Sequence, residues 1–251
     1  MGGALASAVS RSGCAEILLL DKDTARAEAL AEKIGAECAT LDKIAKCDYV
    51  FLGVKPNMIA DVLGELSPVI GESTVIISMA AGVAIAKIEA ALGKCCPVIR
   101  IMPNTPAAYG KGMILYTVSA AVTEKNFSDF VTFMKEAGTI DEIPERLIDA
   151  GSAVSGCGPA FVYMFIEALA DGGVAAGLPR DKAMLYAAET VLGAAETVLR
   201  SGKHPGALKD AVCSPGGSTI EGVLALESGS MRGVVSDAVL AAYEKTVKLG
   251  K

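Results

Sequence analysis

The sequence predicts an α/β fold: a mostly parallel sheet covered by helices, followed by an all-helical segment. Three observations carry this. Up to Pro144, short continuously apolar runs alternate with helical periods, the pattern of strands buried on both faces by intervening helices. Beyond Pro144 no β-rich alternation remains, and helical periods continue to the end of the chain. The composition is 52% hydrophobic but only 5% aromatic, with no Trp and 27 Gly. The apolar content is therefore largely Ala, Val, Ile and Leu, which suits parallel strands and closely packed helices.

Glu16–Leu20 is the first apolar run and ends at Asp21. A helix is predicted over Thr24–Ile34, with Asp23 as its N-cap and Gly35 as its stop. Tyr49–Val54 is a second strand, ended by Pro56, with a helix over Met58–Leu66. Thr74–Ser78 is a third strand, followed by a helix over Ile85–Leu92 that Gly93 stops. Val98–Met102 is a fourth. Met113–Val118 adds a strand, Phe127–Ala137 a helix and Thr139–Ile143 a last strand. In the second segment Pro159 stands where a first-turn proline is tolerated, since its missing N–H has no intrahelical partner. Phe161-Val162-Tyr163-Met164-Phe165-Ile166 follows and is apolar on every face. Such a helix must be buried all round, and a segment of this size has little interior for it. A partner subunit is expected to cover part of it. The expected division is residues 1–144 and 145–251.

A length of 251 residues allows one or two domains, and the apolar content excludes a disordered chain. A net charge of −6 and a pI near 5.0 argue against a nucleic-acid partner, whose phosphates favour a basic face. The longest apolar stretch considered, Val75–Ala86, falls short of the ~20 residues a membrane span needs, so no membrane partner is expected. The first residues lack the basic region of a signal peptide. Seven cysteines without a C-x-x-C pair read as buried thiols in a reducing cytoplasm rather than a disulfide framework. A single histidine, His204, and scattered cysteines supply neither a zinc site nor a convincing nucleophile triad.

In an open parallel sheet, ligands bind at the carboxyl ends of the strands. Three such ends here carry Gly53-Val54-Lys55-Pro56, Ser78-Met79-Ala80-Ala81-Gly82 and Arg100-Ile101-Met102-Pro103-Asn104-Thr105-Pro106. Each alone is also an ordinary βα turn, but together they describe a cofactor crevice, with Lys55 and Asn104 offering polar contacts. Asp21 stands where an acid after the second strand of a dinucleotide fold hydrogen-bonds the adenosine ribose, or is simply a helix-start carboxylate. It repels a 2′-phosphate while Lys22 attracts one, so NADPH and NADH both stay open. The late run Cys213-Ser214-Pro215-Gly216-Gly217-Ser218-Thr219-Ile220-Glu221 forces a tight turn into a helix. The amides of Gly217, Ser218 and Thr219 are then aimed at an anion, although Ser and Thr are also common helix caps.

Together these runs resemble the pyrroline-5-carboxylate reductase family. The resemblance rests on His204–Asp210 continuing through Val212–Glu221, on Ser155-Gly156-Cys157-Gly158-Pro159-Ala160-Phe161, and on Val54-Lys55-Pro56, Ala80-Ala81-Gly82-Val83 and Met102-Pro103-Asn104-Thr105-Pro106. It implies reduction of 1-pyrroline-5-carboxylate to L-proline with NADPH or NADH, in the cytoplasm. It also implies a Rossmann-type domain and a helical domain that forms a homodimer, within larger rings of dimers in many members. Carried over residue by residue, Ser214, Gly217, Ser218 and Thr219 hold the substrate, with Thr219 catalytic, and Glu145 lies near the substrate across the dimer. Met1, Gly2, Asp21, Lys22, Val54, Lys55, Pro56, Ala80, Ala81, Pro103 and Asn104 contact the cofactor.

Three departures stand out. Asp21 replaces a Ser that favours NADPH in many members, and Thr40 replaces an Asn near the adenine. Met1-Gly2 matches only the end of the family's glycine loop, with no strand before it, so the sequence is expected to be truncated at its N-terminus. A related β-hydroxyacid dehydrogenase and a non-catalytic dinucleotide-binding protein are the alternatives. The absence of Lys from Phe161–Ala170 counts against the former.

Overall fold

The computed structural model describes residues 1–249. Helix α1 (Gly2–Ser12) presents Leu5, Ala8 and Val9 on one buried face and is stopped by Gly13 at φ 63°. Strand β1 (Leu18–Leu19), helix α2 (Thr24–Ile34) and strand β2 (Glu37–Cys38) form one parallel crossover. The bounds of α2 are those expected, because the Asp23 side chain accepts from Arg26 N–H and Gly35 adopts φ 68°. Helix α3 (Leu41–Ile44), strand β3 (Tyr49–Leu52), helix α4 (Ile59–Leu66), strand β4 (Val75–Ser78), helix α5 (Ile85–Leu92) and strand β5 (Val98–Met102) follow. Then come β6 (Gly112–Val118), α6 (Glu124–Met134) and β7 (Gly138–Glu142).

Three expectations shift. The first strand shrinks from Glu16–Leu20 to two residues. The sixth helix starts and ends three residues earlier than read, because Thr123 and Asn126 form a reciprocal capping box at its start. Elements β2 and α3 carry no apolar run, and both residues of β2 are exposed, so periodicity did not reveal them.

Strands β3 to β7 form one sheet in sequence order. β3, β4 and β5 are parallel, β6 is antiparallel to β5, and β7 is parallel to β6. Both faces are covered, which explains the continuous apolar runs. Val50, Leu52, Ile76 and Val98 pack against Leu63 and Leu66 of α4 and Ile88 and Leu92 of α5. Val75, Ile77, Ile99, Ile101 and Ile114 pack against Leu5 and Ala8 of α1 and Phe130 and Met134 of α6. Strands β1 and β2 make a separate two-stranded sheet. Leu18 of β1 nevertheless packs against the core that holds Val50 and Leu52, and Ile17 just before it against the core that holds Val75 and Ile77.

The second half is helical: α7 (Ile148–Ser155), α8 (Gly158–Ala175), α9 (Arg180–Ser201), α10 (Pro205–Ala211), α11 (Ser218–Ser228) and α12 (Met231–Leu249). By contacts the chain divides into a unit of Met1–Cys157 with the end of the chain from Ala241, and a unit of Gly158–Leu240. Helix α7 therefore groups with the sheet. Ile148 packs on Met102 and Leu115, and a Cβ at Gly151 would lie 2.3 Å from Leu115 Cδ1, so a larger residue there would displace the Leu115 side chain. In the other unit α8 and α9 pair through the small residues Ala170, Ala183 and Ala187. The all-round apolar run stays uncovered within one chain: Tyr163 is 58% exposed and Met164 70%.

The reading of Val75–Ala86 as the longest apolar stretch is corrected. The helical stretch Glu145–Ala175 is long and apolar enough, by length and composition, to cross a membrane. Its charged residues, Glu145, Arg146, Asp149, Glu167 and Asp171, leave residues 150–166 between them uncharged, and a helix that another protein surface is to cover has the same composition.

Candidate active site

At the carboxyl ends of β3, β4 and β5, three turns lie along one edge of the sheet. Gly53 ends β3 against the start of α1, and a Cβ on it would lie 3.2 Å from Gly2 Cα. Met1 is the N-cap of α1 and supplies no side-chain cap. The carbonyl of Met1 accepts from the Ala4 and Leu5 amides, which leaves the Gly2 and Gly3 amides without partners among the described residues. Uncapped amides at a helix start, with a neighbouring backbone that only glycine allows so close, fit a dinucleotide pyrophosphate. Lys55 is exposed beside them and opens the turn Pro56–Met58, while Val54 packs partly against the core.

After β4, Ala80 is buried and Ala81 half-buried, and Gly82 turns the chain at φ 73°. After β5, Pro103 and Asn104 are buried. Asn104 differs from the expected open polar contact. Its Nδ2 donates to the Ser155 carbonyl at 2.9 Å and its Oδ1 accepts from Met113 N–H at 2.9 Å. One amide hydrogen and one lone pair remain for a ligand. At the end of β1, Asp21 Oδ1 accepts from Asp23 N–H at 3.1 Å, and Lys22 is exposed.

Sequence reasoning missed Arg100. It sits mid-strand in β5, only 3% exposed. Its Nη2 lies 2.8 Å from Asp149 Oδ1 and its Nη1 3.3 Å from Glu145 Oε1, while its buried Nε has no partner among the described residues. Glu145 Oε1 also accepts from Ile85 N–H at 2.7 Å, capping α5 in place of the uncapped Ala84. Glu145 is thus held between a buried guanidinium and a helix start. A charge inside an apolar run was the one available signal, because such a charge needs nearby carboxylates.

In the helical unit, Ser214–Gly217 forms the tight turn. Gly216 adopts φ 68°, and a Cβ on Gly217 would lie 2.5 Å from Ser214 Oγ. One expectation is corrected: the Gly217 amide does not face outward but donates to the Ser214 carbonyl at 3.1 Å, closing the turn. Gly217 is the N-cap of α11 without any side-chain cap. The Ser218, Thr219 and Ile220 amides are then unpartnered among the described residues, and Ser218 and Thr219 are exposed. Nearby, Lys209 pairs with Asp210 at 2.7 Å, and that hydrogen bond holds its ammonium above the ordinary lysine range. His204 is a helix cap, its Nδ1 accepting from Gly206 N–H at 3.1 Å. Among the described residues no group of three His, Cys, Asp or Glu could hold a metal ion.

A doubly covered parallel sheet with open helix-start amides at its carboxyl edge, joined to a helical unit in which a tight turn opens an uncapped helix, has the plan of a two-domain dinucleotide-dependent oxidoreductase. Comparison with known proteins makes the class particular. Residues 145–249 match the family of pyrroline-5-carboxylate reductase dimerisation, and residues 1–82 that of NADP oxidoreductase, coenzyme F420-dependent. The chain is 39% identical over 253 residues to pyrroline-5-carboxylate reductase of Escherichia coli, covering 100% of this chain and 93% of the relative. It is 40% identical over 254 residues to that of Pisum sativum, covering 99% and 92%. The crystal structure of Plasmodium falciparum pyrroline carboxylate reductase with NADP bound superposes with a TM-score of 0.88 at 32% identity, covering 100% and 95%. The chain belongs to the pyrroline-5-carboxylate reductase family. Its activity is the NAD(P)H-dependent reduction of 1-pyrroline-5-carboxylate to L-proline, with hydride transfer to the C=N carbon, and it carries the family's dimerisation domain.

Proposed function

We propose that the turn Ser214–Thr219 binds the substrate and that the carboxyl edge of the sheet binds the cofactor. One observation carries the first assignment: α11 begins with unpartnered amides and no side-chain cap. The substrate has one carboxylate and one ring imine, so it needs an anion cradle and a hydrogen-bonding group at nitrogen. The amides of Ser218 and Thr219 and the Ser218 hydroxyl hold the carboxylate, and Ser214 and Gly217 set the turn that aims them. The Thr219 hydroxyl hydrogen-bonds the ring nitrogen, which orients the imine or delivers its proton. Bound reduced nicotinamide supplies the hydride. Met1, Gly2, Val54, Lys55 and Pro56 receive the adenosine and phosphate side, with Asp21 and Lys22 at the ribose. Ala80, Ala81, Pro103 and Asn104 line the nicotinamide side. Glu145 is assigned to the substrate side across the dimer, and its anchoring by Arg100 and Ile85 N–H supports a fixed carboxylate there. Positioning then supplies most of the acceleration.

The protein works as a homodimer through the helical domain, within a ring of dimers, in the cytoplasm, without a nucleic-acid or membrane partner. The exposed apolar face of α8 and the charge of −6 support this. The test is Thr219→Ala in an assay following NAD(P)H loss with 1-pyrroline-5-carboxylate. The expected fall in kcat is roughly 10- to 100-fold, the scale of losing one transition-state hydrogen bond or proton donor. Thr219→Ser should restore most of it, and an unchanged kcat in Thr219→Ala overturns the assignment.

A further inference from the structure

We infer that Asp21 makes this chain prefer NADH over NADPH, its carboxylate binding the adenosine ribose hydroxyls and excluding a 2′-phosphate. This rests on the reading that the carboxyl edge of the sheet holds the cofactor. Asp21 lies two residues beyond the end of β1, in the turn that enters α2. Because β1 and β2 are parallel, with Leu18 opposite Glu37 and Leu19 opposite Cys38, that turn sits at the carboxyl ends of both strands. It is also about twenty residues beyond the glycine at the start of α1, the separation at which an acid reaches the ribose in dinucleotide folds.

Three features of the site act against a phosphate. The Asp21 carboxylate is oriented by its bond from Asp23 N–H, and its second oxygen has no partner among the described residues, so an acceptor is presented ready for a ribose hydroxyl. The start of α2, which would otherwise attract an anion, is already capped by the Asp23 carboxylate through Arg26 N–H at 3.1 Å. A 2′-phosphate at this edge therefore meets two carboxylates. Within residues 21–26 no surplus of positive charge offsets them. Lys22 and Arg26 balance Asp21 and Asp23 one for one, and Lys43, the next basic residue along the chain at the β2 end, is paired with Glu37. Beyond β2 the chain presents the neutral Thr40, its neighbour Ala39 donating N–H to the Leu19 carbonyl at 2.8 Å. A 2′-phosphate site needs an Arg or Lys clamp free of acidic neighbours.

The experiment measures dissociation constants of NADH and NADPH by titration calorimetry on the full chain, and kcat/KM with 1-pyrroline-5-carboxylate for each, in the natural sequence and in Asp21→Ser. The expected result is NADH bound at least tenfold tighter than NADPH. In Asp21→Ser the ratio of the two constants should move at least tenfold toward NADPH. Equal or tighter binding of NADPH by the natural sequence overturns the inference, as does a ratio that Asp21→Ser leaves unmoved. Asp21 is exposed, so the substitution spares the fold, and a matching circular dichroism spectrum checks this. Failure of both cofactors to bind sinks the reading of the sheet edge and this inference with it. The expected binding preference without turnover overturns the substrate-site reading alone.

Discussion

Met164→Glu should break the subunit association without harming the fold of the single chain. Met164 lies in α8 and is 70% exposed within one chain, so it contributes little to that chain's own core. Full burial of a methionine is worth about 1.5–3 kcal/mol, of which about seven-tenths is still to be gained when a partner covers it. That is about 1–2 kcal/mol per copy, and in a two-fold interface the residue counts twice, giving about 2–4 kcal/mol. At about 1.4 kcal/mol per tenfold, the dimer Kd should weaken about 30- to 1,000-fold from the lost burial alone. A glutamate adds the cost of desolvating its charge, so the upper end applies. Sedimentation velocity over a concentration series measures the constant, with Met164→Ala as a milder companion and far-ultraviolet circular dichroism as the check on folding. A Met164→Glu protein that dimerises with unchanged Kd would refute the assignment of the α8 face to the subunit interface.

Other outcomes follow from single contacts. Gly217→Ala places a Cβ 2.5 Å from Ser214 Oγ and 3.2 Å from the Ser214 carbonyl oxygen, so the Ser214 side chain must rotate and the turn give by a few tenths of an ångström. kcat/KM for 1-pyrroline-5-carboxylate should fall about 10-fold, less than the loss for a misplacement of about 1 Å, with little change in Tm because the turn is largely exposed. Unaltered steady-state kinetics would remove the turn from the site. Leu63→Ala empties a fully buried position between α4 and the sheet and should cost about 2–5 kcal/mol in urea unfolding. A loss below 1 kcal/mol, on the order of a surface substitution, would contradict that packing. Asp129 is held below the ordinary aspartate range, first by the Lys125 ammonium and then by the Tyr49 hydroxyl. A depressed folded pKa stabilises fully above the unfolded value of about 3.9 and is lost as pH falls through the folded one. Asp129→Asn should therefore lower Tm near neutral pH, and the gap should close as pH falls below about 4. A gap independent of pH would show that the charge plays no part.

Much of the fold was legible because local chemistry sets its punctuation. Helix α2 could be bounded to the residue since Asp23 and Gly35 act on amides and carbonyls within a turn of themselves. The same holds for α5, which ends where Gly93 takes a left-handed conformation. The turn before α11 was legible for a similar reason: Pro215, Gly216 and Gly217 leave the chain few conformations. Within it the role of Gly217 was not, because which amide closes the turn depends on a bond to the Ser214 carbonyl. Strand β2 escaped notice because a two-residue exposed strand has no periodicity to read.

The sequence by itself determined the alternation of strands and helices apart from β2 and α3, the change of character after Pro144, and the family. These follow from apolar spacing, turn chemistry and contiguous motifs, all encoded within a few residues. Only the tertiary structure decided how the charges are disposed. Arg100 meets Glu145 and Asp149 across 45 and 49 residues of chain, and Asn104 is tied to Ser155 across 51. Electrostatic pairing depends on distance in space, which no local pattern records. For the same reason the sequence left Asp21 open between a ribose ligand and a helix-start carboxylate, and the structure shows that Asp23 caps α2 while Asp21 accepts from Asp23 N–H. The neighbours that complete a charge's environment arrive from other elements, and folding alone brings them together.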